Sequence, residues 1–142
     1  SHPHMALVGR VPGTEHFRNV ERHQVEVFPG LIALRIDESI YFANSQLIAE
    51  KIEGLLSEHP TTDCVLLILS AVNQLDTTAL GMLTELEKTL AARNITLQFA
   101  EVKGPVQDRL QSTELGDRMQ NKIFLSTHQA FLDYQEKNSL LK

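Results

Sequence analysis

Apolar residues run almost unbroken between Asp63 and Ser70, where the order is Asp-Cys-Val-Leu-Leu-Ile-Leu-Ser. A strand with one face in water alternates apolar and polar residues, whereas a strand covered on both faces does not. The run is short for a helix and is rich in the branched side chains that strands favour. Residues 63–70 are therefore predicted to form a central strand of a parallel sheet.

Other segments alternate in the manner of half-buried strands. Residues 24–27 and 31–36 alternate on either side of the turn signal Pro29-Gly30, and together they predict an antiparallel β-hairpin. Residues 95–99 alternate as well and predict a further strand. Two short strands are predicted, at residues 17–20 and 122–125.

Helical spacing of apolar residues separates these strands. Asn44 or Ser45 is predicted to cap a first helix that ends before Pro60. Residues 79–92 carry a leucine stripe that predicts a second helix. Further helices are predicted to begin near residues 104 and 126. The order of elements predicts an α/β fold with a mixed, mainly parallel sheet of about four to five strands, four to five α-helices and an N-terminal β-hairpin.

The chain divides into four parts. Residues 1–5, Ser-His-Pro-His-Met, look like an expression-tag remnant and are set aside from the fold prediction. Residues 6–22 are predicted to be an extended arm that includes the first short strand. The folded domain is predicted over residues 23–138, and residues 139–142 form a tail.

Composition narrows the functional classes. The 142 residues are 42% hydrophobic, which suits one domain with a core, and the net charge of -5 argues against a nucleic-acid partner. No stretch approaches the roughly 18 apolar residues of a membrane span, so direct membrane insertion by this fragment is not expected. The single cysteine, Cys64, is predicted to be a buried small hydrophobe rather than a nucleophile. The histidines lack metal-ligand spacing, so no metal site is predicted.

The stretch after the apolar run, Asn73-Gln-Leu-Asp-Thr-Thr-Ala79, carries the candidate chemistry. It leaves the carboxyl end of a parallel strand, where ligands of open α/β sheets gather. Asp76, Thr77 or Thr78 can serve as the N-cap of the following helix. A hydroxyl at that helix start is also a candidate phosphorylation switch, because a phosphate beside Asp76 would be repelled and would disturb a partner surface.

Three more polar residues are predicted to lie at the same edge of the sheet. Asp37, Asn44 and Asn73 are candidates for a ligand- or partner-binding loop, although a solvated turn acid and cap or turn residues are the plainer interpretations. Tyr41 and Phe42 stand between a strand end and a helix start. Phe42 is expected in the core and Tyr41 half exposed.

The segment from Leu75 to Gly81 resembles the Asp-Ser-Ser/Thr-Gly-Leu loop of STAS domains, which sulfate transporters and anti-sigma-factor antagonists share. The resemblance implies that Thr78 is the position phosphorylated in the antagonists. Threonines here stand in place of the antagonists' serines, and Ala79 stands in place of their glycine.

Two other segments narrow the resemblance to SulP-type anion transporters. The run from Gly9 to Val20 is similar to the arm that joins the membrane domain to the STAS domain in that family. The run Arg-Ile-Asp-Glu-Ser-Ile-Tyr-Phe-Ala-Asn, residues 35–44, is similar to a sequence typical of the same transporters. Together these likenesses cover residues 8–136.

This resemblance implies a non-catalytic, regulatory and protein-interaction domain at the cytoplasmic face of the inner membrane. The expected partners are the membrane domain of the same transporter and a cytosolic protein, with homodimerisation through the parent transporter. No cofactor is expected, although weak nucleotide binding has been proposed for STAS domains. The transported anion would be of the sulfate, bicarbonate or dicarboxylate class.

Two alternatives stay open on the sequence alone. One is a free-standing anti-sigma-factor antagonist switched by phosphorylation of Ser or Thr. The other is a small enzyme that uses the strand-end cleft, although the sequence shows no assembled set of acid, base and nucleophile.

Overall fold

The computed structural model describes residues 4–139. It contains six strands and five helices in those residues. The strands are β1 (Met5–Arg10), β2 (Phe17–Asn19), β3 (Leu31–Ile36), β4 (Cys64–Ile68), β5 (Thr96–Ala100) and β6 (Ile123–Phe124). The helices are α1 (Phe42–Glu58), α2 (Thr77–Ala92), α3 (Gly104–Leu110), α4 (Glu114–Arg118) and α5 (Thr127–Ser139).

All six strands form a single sheet in the order β2-β1-β3-β4-β5-β6. β1 pairs antiparallel with both β2 and β3, whereas β3, β4, β5 and β6 are parallel neighbours. The continuous apolar run predicted a central strand, and β4 is buried at every position between β3 and β5. The predicted mixed, mainly parallel α/β fold is confirmed.

The two faces of the sheet are covered unequally. One face packs against the apolar stripes of α1 and α2 and against the buried residues of α3 and α4. Among residues 4–139, α5 is the helix that packs against the other face, through Ala130, Phe131 and Tyr134. Aromatic rings from the start of the chain complete this second cluster, with Phe17 centred 4.6 Å and Phe28 centred 5.7 Å from Phe131.

The N-terminal hairpin is present, but its strands differ from the predicted pair. Residues 24–27 were expected to pair with β3, and instead β1 occupies that position while Glu26 bridges to Arg10. Gly9 allows β1 to lie this close to residue 26, since a Cβ on residue 9 would lie 2.6 Å from the Glu26 carbonyl oxygen. The sheet therefore has six strands rather than four or five, because part of the segment assigned to the arm is a paired strand.

β1 and α5 include residues outside the predicted folded domain of residues 23–138. Met5, placed in the tag remnant, is the first residue of β1 and lies opposite Ile36. Residues 1–3 of that remnant lie outside the described residues, as do residues 140–142 of the predicted tail. Ser139, the first residue of that tail, is the last residue of α5.

Candidate functional site

The carboxyl edge of the sheet is the end at which β3, β4 and β5 finish. It comprises residues 37–41, 69–76 and 101–103, together with the first turns of α1 and α2. Each parallel strand passes there into a loop and then into a helix, so polar loop residues from distant parts of the sequence converge. A network of hydrogen bonds joins these loops.

Asp76 lies at the centre of the network. Its Oδ1 accepts a hydrogen bond from the backbone N–H of Ala79 at 2.8 Å, which confirms Asp76 as the N-cap of α2. Its Oδ2 accepts from the backbone N–H of Phe42, the first residue of α1, at 2.9 Å. One carboxylate thus satisfies free amides of two helices. The amides of Ala79, Phe42 and Thr78, together with the positive charge of Arg109, lower the pKa of Asp76 below its ordinary value.

Ser39 joins the loop after β3 to the loop after β4. Its Oγ accepts hydrogen bonds from the backbone N–H groups of Asn73 at 3.1 Å and Gln74 at 3.2 Å. Ile40 continues this connection through a parallel β-bridge to Leu75. The two loops are therefore joined by the Ser39 hydroxyl and by backbone groups, and several other side chains are left free to face solvent.

Two cations near α3 reach the same edge. Lys103 donates from Nζ to Asn73 Oδ1 at 2.7 Å, and Arg109 donates from Nη2 to Thr77 Oγ1 at 3.1 Å. Both acceptors are neutral, and both cations are exposed. Positive charge therefore lies beside the start of α2.

Asn44 lies within the first turn of α1 rather than at its cap. The cap residue is Tyr41, and the Asn44 Oδ1 accepts a hydrogen bond from the Tyr41 backbone N–H at 2.8 Å. The Asn44 Nδ2 donates to Glu38 Oε1 at 2.9 Å and to the Ser39 carbonyl oxygen at 2.7 Å. The prediction that Asn44 or Ser45 caps this helix was wrong, because the cap residue, Tyr41, lies three to four residues earlier.

Asp37 occupies the exit of β3 and pairs with Arg35 in a bidentate ion pair. Arg35 Nε lies 2.6 Å from Asp37 Oδ1, and Nη2 lies 3.1 Å from Oδ2. This hydrogen bonding raises the pKa of the Arg35 guanidinium. Asp37 therefore belongs to the carboxyl edge, but its carboxylate is already paired with Arg35 at the end of β3.

An exposed group of side chains covers the network from outside. Phe42 is 74% exposed and Tyr41 is 44% exposed, while Thr77 and Thr78 are exposed at the first two positions of α2. The expectation that Phe42 enters the core was wrong. Helical spacing places it near the buried stripe of α1, but the ring stands on the first residue of the helix and remains exposed.

Sequence reasoning missed the residues that connect the loops. Ser39, Lys103 and Arg109 each bond to a residue at least 30 positions away, and no local spacing reports such contacts. The available signal for Ser39 was its position between a predicted strand and a predicted helix.

Two further properties bear on what this surface can do. Within residues 4–139, no cluster of three or more His, Cys, Asp or Glu side chains is arranged to hold a metal ion. In the same residues, no helix combines the length and apolar character needed to cross a membrane.

The family of the chain follows from comparison with known proteins. A family model described as the STAS domain matches residues 22–130. The chain belongs to the STAS domain family. It is 32% identical to high affinity sulfate transporter 2 of Stylosanthes hamata over 96% of this chain and 22% of that protein. It is 30% identical to sulfate transporter 1.3 of Arabidopsis thaliana over 90% of this chain and 21% of that protein.

The chain spans about a fifth of the length of these transporters, so most of each transporter lies outside the match. Solved structures agree with the fold. The murine Solute Carrier 26 family member A9 anion transporter, in the inward-facing state, superposes with a TM-score of 0.80 at 18% identity over 93% of this chain and 22% of that one. The SulP transporter STAS domain of Vibrio cholerae gives 0.67 at 16% identity over 85% and 93% of the two chains.

The fold is also shared by an anti-sigma factor antagonist. SpoIIAA in its unphosphorylated form superposes with a TM-score of 0.64 at 12% identity, over 78% of this chain and 93% of that one. The family resemblance expected from the sequence is thus confirmed.

Proposed function

We propose that this chain is the cytosolic regulatory and protein-interaction domain of a SulP-type secondary anion transporter and that it catalyses no reaction itself. The observation that carries the proposal is the exposed group at the carboxyl edge, where Asp76 fixes the starts of α1 and α2 while Tyr41, Phe42, Thr77 and Thr78 face solvent. A rigid backbone beneath exposed aromatic and hydroxyl groups suits a docking surface.

The relatives indicate what the parent protein carries. Two curated relatives are named as sulfate transporters, and a structural neighbour is an anion transporter. Sulfate is therefore the first anion to test, with bicarbonate and dicarboxylates next. The domain would lie at the cytoplasmic face of the membrane, contact the membrane domain of the same transporter and dock a cytosolic protein. Homodimerisation through the parent, the lack of a cofactor and weak nucleotide binding remain parts of the proposal to be tested.

A sulfate uptake assay with the whole transporter tests the docking surface. Thr78→Glu adds a negative charge at the start of α2, and Phe42→Ala removes the exposed ring. Both are expected to change uptake at equal amounts of protein in the membrane. Thr61→Glu places the same charge on an exposed residue before β4, at the opposite end of the sheet, and is the matched control.

The outcomes test the docking surface and the regulatory role separately. Uptake that stays at the wild-type level in Thr78→Glu and Phe42→Ala would show that this surface is not the docking site. Uptake that is the same with and without the STAS domain would remove the regulatory role.

A second candidate is a free-standing anti-sigma-factor antagonist. The likeness to SpoIIAA and the exposed hydroxyl of Thr78 favour it. DNA upstream of residue 6 distinguishes the two, because a run of hydrophobic spans encoded there supports the transporter. Incubation with a cognate kinase, followed by mass mapping, tests whether Thr77 or Thr78 accepts a phosphate.

A further inference from the structure

A small cavity lies where β1 and β3 separate. The paired residues of these two strands end at Leu7 and Leu34, and farther along β1 the residue Arg10 forms a β-bridge with Glu26 instead. The space that remains beside the first half of β3 has a volume of about 210 Å³. We name it the split-sheet cavity and define it by its lining residues, which are 7–8, 20, 27–29, 31–33 and 59. It shares no residue with the carboxyl edge.

The lining of the split-sheet cavity is almost entirely apolar. Among the described residues that line it, His59 alone has a polar side chain. A water molecule held inside a protein needs about two to four polar partners, and apolar side chains supply none. An unfilled apolar cavity also lowers the stability of a fold in proportion to its volume. An apolar occupant therefore suits this space better than water does.

The cavity is open to a molecule from solvent. Its innermost residues, Val8 and residues 31–33, are buried in the sheet. The remaining side chains are half-buried or exposed, and Val27 among them is 57% exposed. The part of the lining that solvent reaches comprises Leu7, Val20, Val27, Phe28, Pro29 and His59. An incoming ligand can therefore touch both the apolar wall and the imidazole.

The backbone of His59 is fixed while its side chain stays exposed. His59 is the C-cap of α1, and its backbone N–H donates to the Leu55 carbonyl oxygen at 2.8 Å. Its own carbonyl oxygen accepts from Thr62 Oγ1 at 2.7 Å. A neutral imidazole has one nitrogen that donates a hydrogen bond and one that accepts. His59 can therefore accept one N–H or O–H from a ligand in the cavity.

We propose that the split-sheet cavity binds a small, uncharged aromatic molecule that carries a single N–H or O–H donor, the class to which indole belongs. The ring replaces water against the apolar lining, and the donor bonds to the His59 imidazole. An engineered apolar cavity of about 150 Å³ takes up benzene, so a cavity of about 210 Å³ has room for a compact ring system. A rigid ring also loses little conformational freedom on binding. The proposal does not depend on the function assigned to the carboxyl edge.

Indole is the probe. Titration into the 142-residue chain, followed by two-dimensional NMR of backbone amides, is expected to give saturable shifts at the lining residues. His59→Ala removes the acceptor and is expected to weaken indole binding about fivefold, as the loss of one neutral hydrogen bond implies. Indene has the shape of indole without the N–H, so it is expected to bind the wild type and His59→Ala equally. That contrast separates the hydrogen bond from the packing.

A second variant tests the cavity itself. Val20→Phe adds a ring at a half-buried wall position and is expected to abolish saturable binding, because the larger side chain fills part of the space. Val102→Phe makes the same change at a half-buried valine of the carboxyl edge, and His16→Ala removes an exposed histidine outside the lining. Both controls are expected to bind indole like the wild type.

The proposal has clear contrary outcomes. Circular dichroism establishes that each variant is folded before its titration is interpreted. Shifts that do not saturate in the wild type, or that fall outside the lining residues, would overturn the proposal. Undiminished binding of indole by folded Val20→Phe, or by His59→Ala, would overturn it as well.

Discussion

Each end of the sheet has an aspartate whose carboxylate accepts hydrogen bonds, but the donors differ between the two ends. At the carboxyl edge, Asp76 accepts hydrogen bonds from two backbone amides. At the amino edge, which comprises the starts of β4 and β5 and the last turns of α5, Asp63 accepts one from the Tyr134 hydroxyl. Backbone amides are present whatever the side chains are, so the carboxyl edge can keep its shape while its exposed residues vary. The amino edge depends on the identity of its own side chains.

The largest expected contrast is chemical and concerns Cys64. Burial raises the pKa of the Cys64 thiol from 9.0 to about 12, so at pH 8 its thiolate population is far lower than that of an exposed cysteine. Alkylation by iodoacetamide is therefore expected to be very slow in the native chain and to become fast in urea. Mass spectrometry of timed samples measures both rates. Rapid native labelling at pH 8 would show that the Cys64 thiol ionises readily in the folded chain.

Asp76→Ala is expected to produce the largest loss of stability at the carboxyl edge. The substitution removes an acceptor from the first turns of both α1 and α2. Thr113→Ala is the control, because Thr113 caps only the short helix α4. Its Oγ1 accepts a hydrogen bond from the Gly116 amide and donates one to the Leu110 carbonyl oxygen, and its loss is expected to cost about 1 kcal/mol. Urea unfolding measures both variants. A smaller loss for Asp76→Ala than for Thr113→Ala would contradict the double-cap role.

The pH dependence of this difference sharpens the test. The pKa of Asp76 is lowered in the folded chain, so its carboxylate stabilises the fold fully above the ordinary aspartate pKa of about 3.9. That stabilisation is lost as the pH falls through the lowered pKa of the native state. The free energies of unfolding of wild type and Asp76→Ala should therefore differ by a constant amount above about pH 5 and converge in acid. A gap that does not shrink in acid would show that ionisation of Asp76 is irrelevant.

The smallest expected effect is that of Tyr134→Phe at the amino edge. It removes one hydrogen bond to Asp63 and keeps the aromatic ring that packs against Phe28. Because Asp63 is exposed and can bind water instead, the cost is expected to be about 1 kcal/mol or less. Thermal unfolding monitored by circular dichroism measures it. A much larger loss would indicate that this contact holds α5 on the sheet.

Much of the fold could be predicted from local patterns. The apolar run between Asp63 and Ser70 predicted the central strand, because a strand buried on both faces needs apolar residues throughout. The leucine stripe predicted α2, because a helix buried on one side repeats apolar residues at helical spacing. β1 was not predicted, because most positions of Met5–Arg10 are only partly buried and the segment contains Gly9. Its place beside β3 also depends on residues 24–27 not pairing with β3. Pairing between distant strands leaves no local periodicity.

The candidate site likewise has features that the local sequence predicts and features that depend on contacts between distant residues. The sequence left Asp76, Thr77 and Thr78 open as the N-cap of α2, and the structure shows that Asp76 is the cap. Its second bond, to the Phe42 amide, joins residues 34 positions apart and depends on how two loops meet. The exposure of Phe42 was missed for a related reason, since helical spacing shows which side of α1 the ring occupies but not whether the sheet extends far enough to cover it.

The antiparallel pairing of β1 with β3 has a mechanical consequence. Tension applied to the backbone before Met5 would act along β1. Three residues of this strand, Met5 to Leu7, lie opposite β3. Hydrogen bonds of an antiparallel pair are perpendicular to the strands, so this pull would load them together in shear instead of peeling them one after another. A movement of any segment joined to residue 5 would therefore reach the middle of the sheet before it detached the strand.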